Sequence, residues 1–228
     1  MGFNASPIWV SIETSVTATV ITFFLGLAAG NWRVGAGGKK GQILDALFIV
    51  PLVLPPTVVG YLLLLLLGRT SPVGRAFESL GFSILFSWPA TVIAATVVAF
   101  PLMYLSTRGA LEQVNPSFLH AARTLGAPEW TVFWKITLPL AWPGVLAGTV
   151  LSFARALGEF GATLMLAGNI PGRTQTLPIA IFFAAEAGRM RQALAWVLIT
   201  VGIAAVAIVA FNTWGRHQRF SALTGKRA

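Results

Sequence analysis

Arg155 and Glu159 stand four residues apart in the apolar stretch LSFARALGEFGATLMLAGN, so a helix puts both on one face and within reach of each other. Either charge alone would be costly in hydrocarbon, whereas a satisfied pair can line the interior of a bundle. Gly158 and Gly161 flank Glu159, and without a Cβ they let the backbone unwind there or approach a neighbour closely. Two readings follow: the pair fixes a break that shapes a path through a membrane, lined down to Thr163, or it clamps helices of one subunit together. Direct anion binding by Arg155 is disfavoured, because a paired guanidinium has few donors left and a translocation path must not hold its cargo tightly. Glu13 is another carboxylate inside an apolar run, but it lies within two turns of that run's start and is expected to reach headgroups and water.

Other chemistry is excluded by composition. The 228 residues contain no cysteine, which removes disulfides, thiolate metal sites and thiol catalysis. The two histidines, His120 and His217, lie outside the apolar runs, so no pair can hold a haem at membrane depth, and no metal or other cofactor is expected. The glycine-rich NWRVGAGGKKGQ, residues 31–42, is not a phosphate loop. Gly38-Lys39 is followed by Lys40 where Ser or Thr is needed, and Arg33 occupies the position of the earlier glycine. No ATP site and no catalytic residue is expected, so the chain is not read as an enzyme.

The elements that must position these residues are membrane helices. With 56% hydrophobic and 10% charged residues, the chain cannot coat a globular surface of this size with charge. Residues 1–228 therefore read as one all-α integral membrane domain facing lipid, with five spans at about 8–29, 43–67, 88–107, 140–168 and 193–214. The segment 176–187 is apolar but too short to cross, and is expected to be an interfacial or re-entrant helix before the last span. No positive leader precedes the first run, so it is expected to stay as a span. In the second run Pro51, Pro55 and Pro56 remove backbone donors and must bend or interrupt the helix. Such a break is tolerated where it faces protein or water, which makes Pro55, Pro56, Thr57 and Gly60 path-lining candidates beside a bland packing kink.

The net charge of +9 follows topology rather than nucleic-acid binding, because the basic residues sit in short loops. Loops after the first, third and fifth spans hold Arg33, Lys39, Lys40, Arg108, Arg123, Lys135, Arg216, Arg219, Lys226 and Arg227. The other side holds half as many, Arg69, Arg75, Arg173, Arg189 and Arg191. The positive-inside bias then puts the amino terminus outside and the carboxyl terminus in the cytoplasm. Trp9, Trp88 and Trp196 are expected near outer span ends, and Trp32, Trp142 and Trp214 near inner ones.

Residues 108–139 form a mixed-polarity island between spans. Its core, LHAARTLGAPEWTVFWKITLP, has an Ala121-Ala122 pair, Gly126 four residues later, then Ile136, Leu138 and Pro139. The small pair lets another surface approach a helix closely, Gly126 permits the positive-φ turn that ends it, and Pro128-Glu129 restarts a helix that Pro139 is expected to close. This spacing resembles the coupling loop of ABC importer permeases, with His120 where that family usually has Glu. The strings PLVLPP, ARALGEFGAT and AGNIPGRTQTLP resemble the molybdate branch and its sulfate relatives.

The resemblance covers nearly the whole chain from Ile43 onward. It implies a permease subunit of an importer in the cell inner membrane, with two cytoplasmic ABC ATPase subunits and an external oxyanion-binding protein as partners. His120, Ala121, Ala122, Arg123, Leu125, Gly126, Ile136, Leu138 and Pro139 are carried over as the ATPase-coupling residues. Five helices with two broken segments make a poor closed pore alone, so a homodimer about a twofold axis is expected. Molybdate is the expected cargo, with sulfate or tungstate as alternatives in the same superfamily, and a passive channel or a membrane enzyme subunit as rivals from other classes.

Overall fold

The computed structural model describes residues 4–34 and 38–223, so Lys226 and Arg227 of the basic tail lie outside it. Every element among the described residues is helical. Helix α1 spans Ser6–Val34, α2 Lys39–Val53, α3 Pro56–Leu67, α4 Pro72–Ser79 and α5 Trp88–Glu112. The hairpin follows as α6, Pro116–Thr124, and α7, Glu129–Val132, and then a π-turn, Phe133–Thr137, leads into α8, Leu138–Leu157. Helices α9, Gly161–Ala167, α10, Leu177–Glu186, and α11, Met190–Leu223, complete the chain.

Helix α5 is the axis of the bundle. Helices α1 and α8 pack along it, and α2, α3 and α9 cover its remaining flanks. Small side chains allow this crowding: Ala18, Ala95, Ala99 and Ala156 meet in one cluster, and a Cβ on Gly148 would come within 2.7 Å of Ser106 Cβ. Larger side chains fill the end nearest the hairpin, where Leu27, Met103, Leu111, Leu138 and Val145 form a second cluster. Two buried hydroxyls of α1 find partners inside the protein, as lipid offers them none. Thr14 and Thr91 bond across α1 and α5 at 3.0 Å, and Ser11 Oγ accepts from the Leu177 N–H at 2.6 Å, fixing the start of α10 to α1.

Four helical stretches are long and apolar enough to cross a membrane: 6–34, 88–112, 129–157 and 190–211. The fifth expected span is a bent pair. Helices α2 and α3 meet at 115°, because Leu54 and Pro55 both adopt extended ψ and Pro56 restarts a helix at its first turn. The expected fourth span differs in two ways. Its helix begins at Glu129, inside the hairpin, and Pro139 does not close that segment. The π-turn just before Pro139, in which the Leu138 N–H bonds the Phe133 carbonyl, carries the helix past a residue that cannot donate. At the other end the helix stops at Leu157, and α9 is a separate short helix. Helix α10 packs against α11 and α1 instead of spanning, and Trp196, expected at an outer span end, is buried in that contact with Leu177 and Ala180.

Candidate functional site

The hairpin is built from local signals. Asn115 Oδ1 accepts from the Ser117 N–H at 2.9 Å and Pro116 occupies the first turn of α6, where a missing donor costs nothing. At the other end the Ala127 N–H bonds the Ala122 carbonyl at 3.1 Å and the Gly126 N–H bonds the Arg123 carbonyl at 2.9 Å. Gly126 has φ of +81°, which completes a Schellman turn that a residue with a Cβ adopts only under strain. Arg123 then reaches over the turn to Glu129 with two parallel bonds, Nε to Oε1 at 2.7 Å and Nη2 to Oε2 at 3.0 Å. That carboxylate raises the Arg123 pKa further above its ordinary value.

This turn presents bare apolar surface. Leu125 is 87% exposed and Trp130 71%, with Phe118 and Trp134 also open and the Trp130 and Trp134 rings 5.3 Å apart. The expected coupling residues divide accordingly. His120, Ala121, Arg123, Leu125, Gly126 and Pro139 face outward, whereas Ala122 and Leu138 are buried and Ile136 is half-buried, holding the hairpin to the bundle.

About one helix length away, the two expected breaks come together. Glu159 Oε1 accepts from the Ala162 N–H at 2.8 Å, capping α9, and its Oε2 lies 2.9 Å from Arg155 Nη1, close but not aligned as a hydrogen bond. The Glu159 side chain is 1% exposed and that of Arg155 27%, so the acid is sealed in protein while the guanidinium reaches an open face. Across from them, a Cβ on Gly161 would lie 3.2 Å from the Thr57 nitrogen, and one on Gly60 would lie 2.7 Å from Ala162 Cα. Pro55, Thr57 and Gly158 are exposed on this side, Pro56 is half-buried, and Gly60, Gly161 and Thr163 form the buried seam behind them.

Helix α8 connects the two regions along one face. Leu140, Pro143, Ala147, Leu151 and Ala154 recur at helical spacing, are all exposed, and lead to Gly158. Near the hairpin that face opens into a cavity of about 810 Å³, bordered by Ser106 and Gly109 of α5, Gln113 just beyond it, Phe118 of α6 and Leu140 and Ala147 of α8. Glu13 is exposed on α1, away from this seam, and makes no ion pair among the described residues. The sequence reading missed Asp45, whose carboxylate binds Arg33 and Arg108 at the hairpin end of the bundle. An acid in the opening turns of an apolar run was the available signal.

The helical bundle, its exposed hairpin and its broken-helix seam are those of a membrane protein whose family its sequence shows. The chain belongs to the family of binding-protein-dependent transport system inner membrane components, whose family model matches residues 22–218. It is 47% identical over 219 residues to the molybdenum transport system permease protein ModB of Escherichia coli (strain K12), covering 93% of this chain and 96% of that one. The ModB protein of Haemophilus influenzae is 44% identical over 176 residues, 76% of this chain and 77% of that one. Among solved structures, a bacterial ABC transporter involved in the import of the acidic polysaccharide alginate has the same fold. Its TM-score is 0.78 at 16% identity, covering 93% of this chain and 78% of that chain.

Proposed function

We propose that two copies of this chain form the membrane pathway of an importer that carries molybdate into the cytoplasm, driven by separate ATPase subunits that grip the hairpins. The observation that carries this reading is a continuous helix, Glu129–Leu157, which joins the exposed Leu125/Trp130 knob to the Arg155/Glu159 break. ATP binding that draws the two hairpins together then tilts these helices and switches access to the seam at Pro55–Gly60 and Gly158–Thr163. The identity to molybdenum permeases supports the cargo. The oxyanion arrives on an external binding protein, and the basic-residue asymmetry supports a reading with the hairpins inside and the amino terminus outside. Glu159 serves as the internal cap and counterion of the break, and Arg155 lends its positive charge to the open face without gripping the anion.

The test is ATP hydrolysis by the reconstituted permease–ATPase complex, with binding protein loaded with molybdate, tungstate or sulfate, for the native chain and for Gly126→Asp. Stimulation strongest with molybdate, and lost in the variant while the ATPase still co-purifies, is the expected result. Undiminished stimulation in Gly126→Asp refutes the docking role of the hairpin, and strongest stimulation with sulfate or tungstate refutes molybdate as cargo.

A further inference from the structure

The hairpin end of the bundle holds a charge cluster that the docking and pathway roles leave unexplained. Asp45, early in α2, accepts through Oδ1 from Arg33 Nε at 2.8 Å and from the Tyr104 hydroxyl, and its Oδ2 lies 2.9 Å from Arg108 Nη1. Arg108 in turn donates through Nε to Glu112 Oε1 at 2.7 Å. One carboxylate thereby ties the end of α1 and the last turns of α5 to the start of α2. The Arg33 and Asp45 side chains are only 9% and 15% exposed, so solvent and salt screen this pair far less than a surface one. Arg33 also lies directly against Gly41, where a Cβ would come within 2.5 Å of the guanidinium carbon. One turn further along α2, Phe48 packs edge-on against Phe100 and Tyr104, with ring centres 5.4 and 5.1 Å away.

The two sides of the cluster lead to the two functional regions. Arg108 sits two turns before Asn115, the cap of α6, so α5 passes from the cluster into the hairpin. Asp45 sits on α2, which leads through the 115° elbow into α3, and α3 presses Gly60 against α9 beside the Glu159 cap. A carboxylate with three partners on two other helices is a stiff joint, whereas in the elbow beyond it Pro55 and Pro56 donate no backbone hydrogen bond, so two helical bonds that would resist turning are missing.

We propose that Asp45 is a positioning residue for transport, which locks α2 to α1 and α5 so that displacement of the hairpin is passed to the path wall at Thr57–Gly60. This rests on the docking role proposed above for the hairpin. Neutralising Asp45 frees α2 from the moving hairpin base. ATP hydrolysis then continues while the path no longer follows it.

The absence of cysteine makes a single Thr57→Cys reporter clean. Its maleimide labelling rate is measured in the reconstituted permease–ATPase complex, nucleotide-free and after trapping with ATP and vanadate, with and without Asp45→Asn. The expected result is a change of about fivefold or more between the two states with native Asp45 and under about twofold with Asp45→Asn, while hydrolysis stays within about twofold of native. Asp45→Glu, which keeps the charge, restores part of the response. An equal change in both backgrounds overturns the role of Asp45 and leaves the docking reading standing. No change with native Asp45 overturns both. Should Asp45→Asn fail to co-purify with the ATPase, Arg108→Gln combined with Tyr104→Phe removes both polar links from Asp45 to α5 and keeps the Arg33 pair, and an undiminished response in that double variant overturns the proposal.

Discussion

Gly60 and Ala162 touch backbone to backbone: a Cβ on Gly60 would stand 2.7 Å from the Ala162 Cα and 2.9 Å from the Met165 Cβ. None of these atoms is the far end of a flexible side chain, so α3 and α9 must part to admit even a methyl group. Gly60→Ala is therefore expected to cost about 1–3 kcal/mol through overpacking. The midpoint of thermal unfolding in detergent should fall by several degrees. An unchanged midpoint would mean that the seam is loose.

Glu159 serves two partners, and its substitutions should rank by how many they abandon. Glu159→Ala leaves the Ala162 N–H buried without an acceptor and removes the counterion of the partly exposed Arg155, and is expected to cost about 1–3 kcal/mol. Glu159→Gln keeps an acceptor for the N–H and should cost distinctly less. Thermal unfolding of the two variants in the same detergent checks the order, and equal losses would show that capping α9 contributes little.

Leu125 and Trp130 are exposed and contribute little to holding the bundle together, so their substitution should separate binding from stability. Leu125→Asp and Trp130→Ala are each expected to leave the unfolding midpoint within about a degree and to weaken ATPase association by about 2 kcal/mol, the loss typical of a buried interface anchor. Immobilised permease titrated with the ATPase subunit gives the affinity. Native affinity in both variants would move the contact elsewhere on the hairpin.

Asn115 caps α6 through one side-chain bond to the Ser117 N–H. Asn115→Ala should cost about 1 kcal/mol, felt locally. Amide exchange should speed up across residues 116–124 and stay native in α5 and α8. A uniform increase along the chain would instead point to a global role for the cap.

Features whose causes are a few residues long could be read directly from the chain. Gly126 in a positive-φ turn, the interruption at Pro55-Pro56 and the Arg155/Glu159 pair all follow from neighbouring atoms, and all are present. Features set by distant partners could not be read that way. The close approach of Gly60 to Ala162 is a contact between residues about a hundred positions apart, and the bond of Glu159 to the Ala162 N–H depends on where α9 restarts. Asp45 escaped notice because its partners Arg33 and Tyr104 are 12 and 59 residues away. Trp196 looked like an interfacial anchor because amphipathic aromatics favour that layer, but α10 lies over it and buries it. Pro139 looked like a terminus because proline usually ends helices, and the wider turn that spares the helix has no signature in its five residues, FWKIT.

The helix from Glu129 to Leu157 is about 43 Å long at 1.5 Å per residue. On the docking proposed above it would act as an oar with its blade in the ATPase and its handle at the membrane break, with no slack rope between them. A tilt of about 10° about its midpoint would carry each end roughly 4 Å in opposite directions, enough to change the contacts at the break. The π-turn at Phe133–Thr137 and Pro143 inside α8 are then the places along the shaft where backbone bonding is already irregular and bending is least resisted.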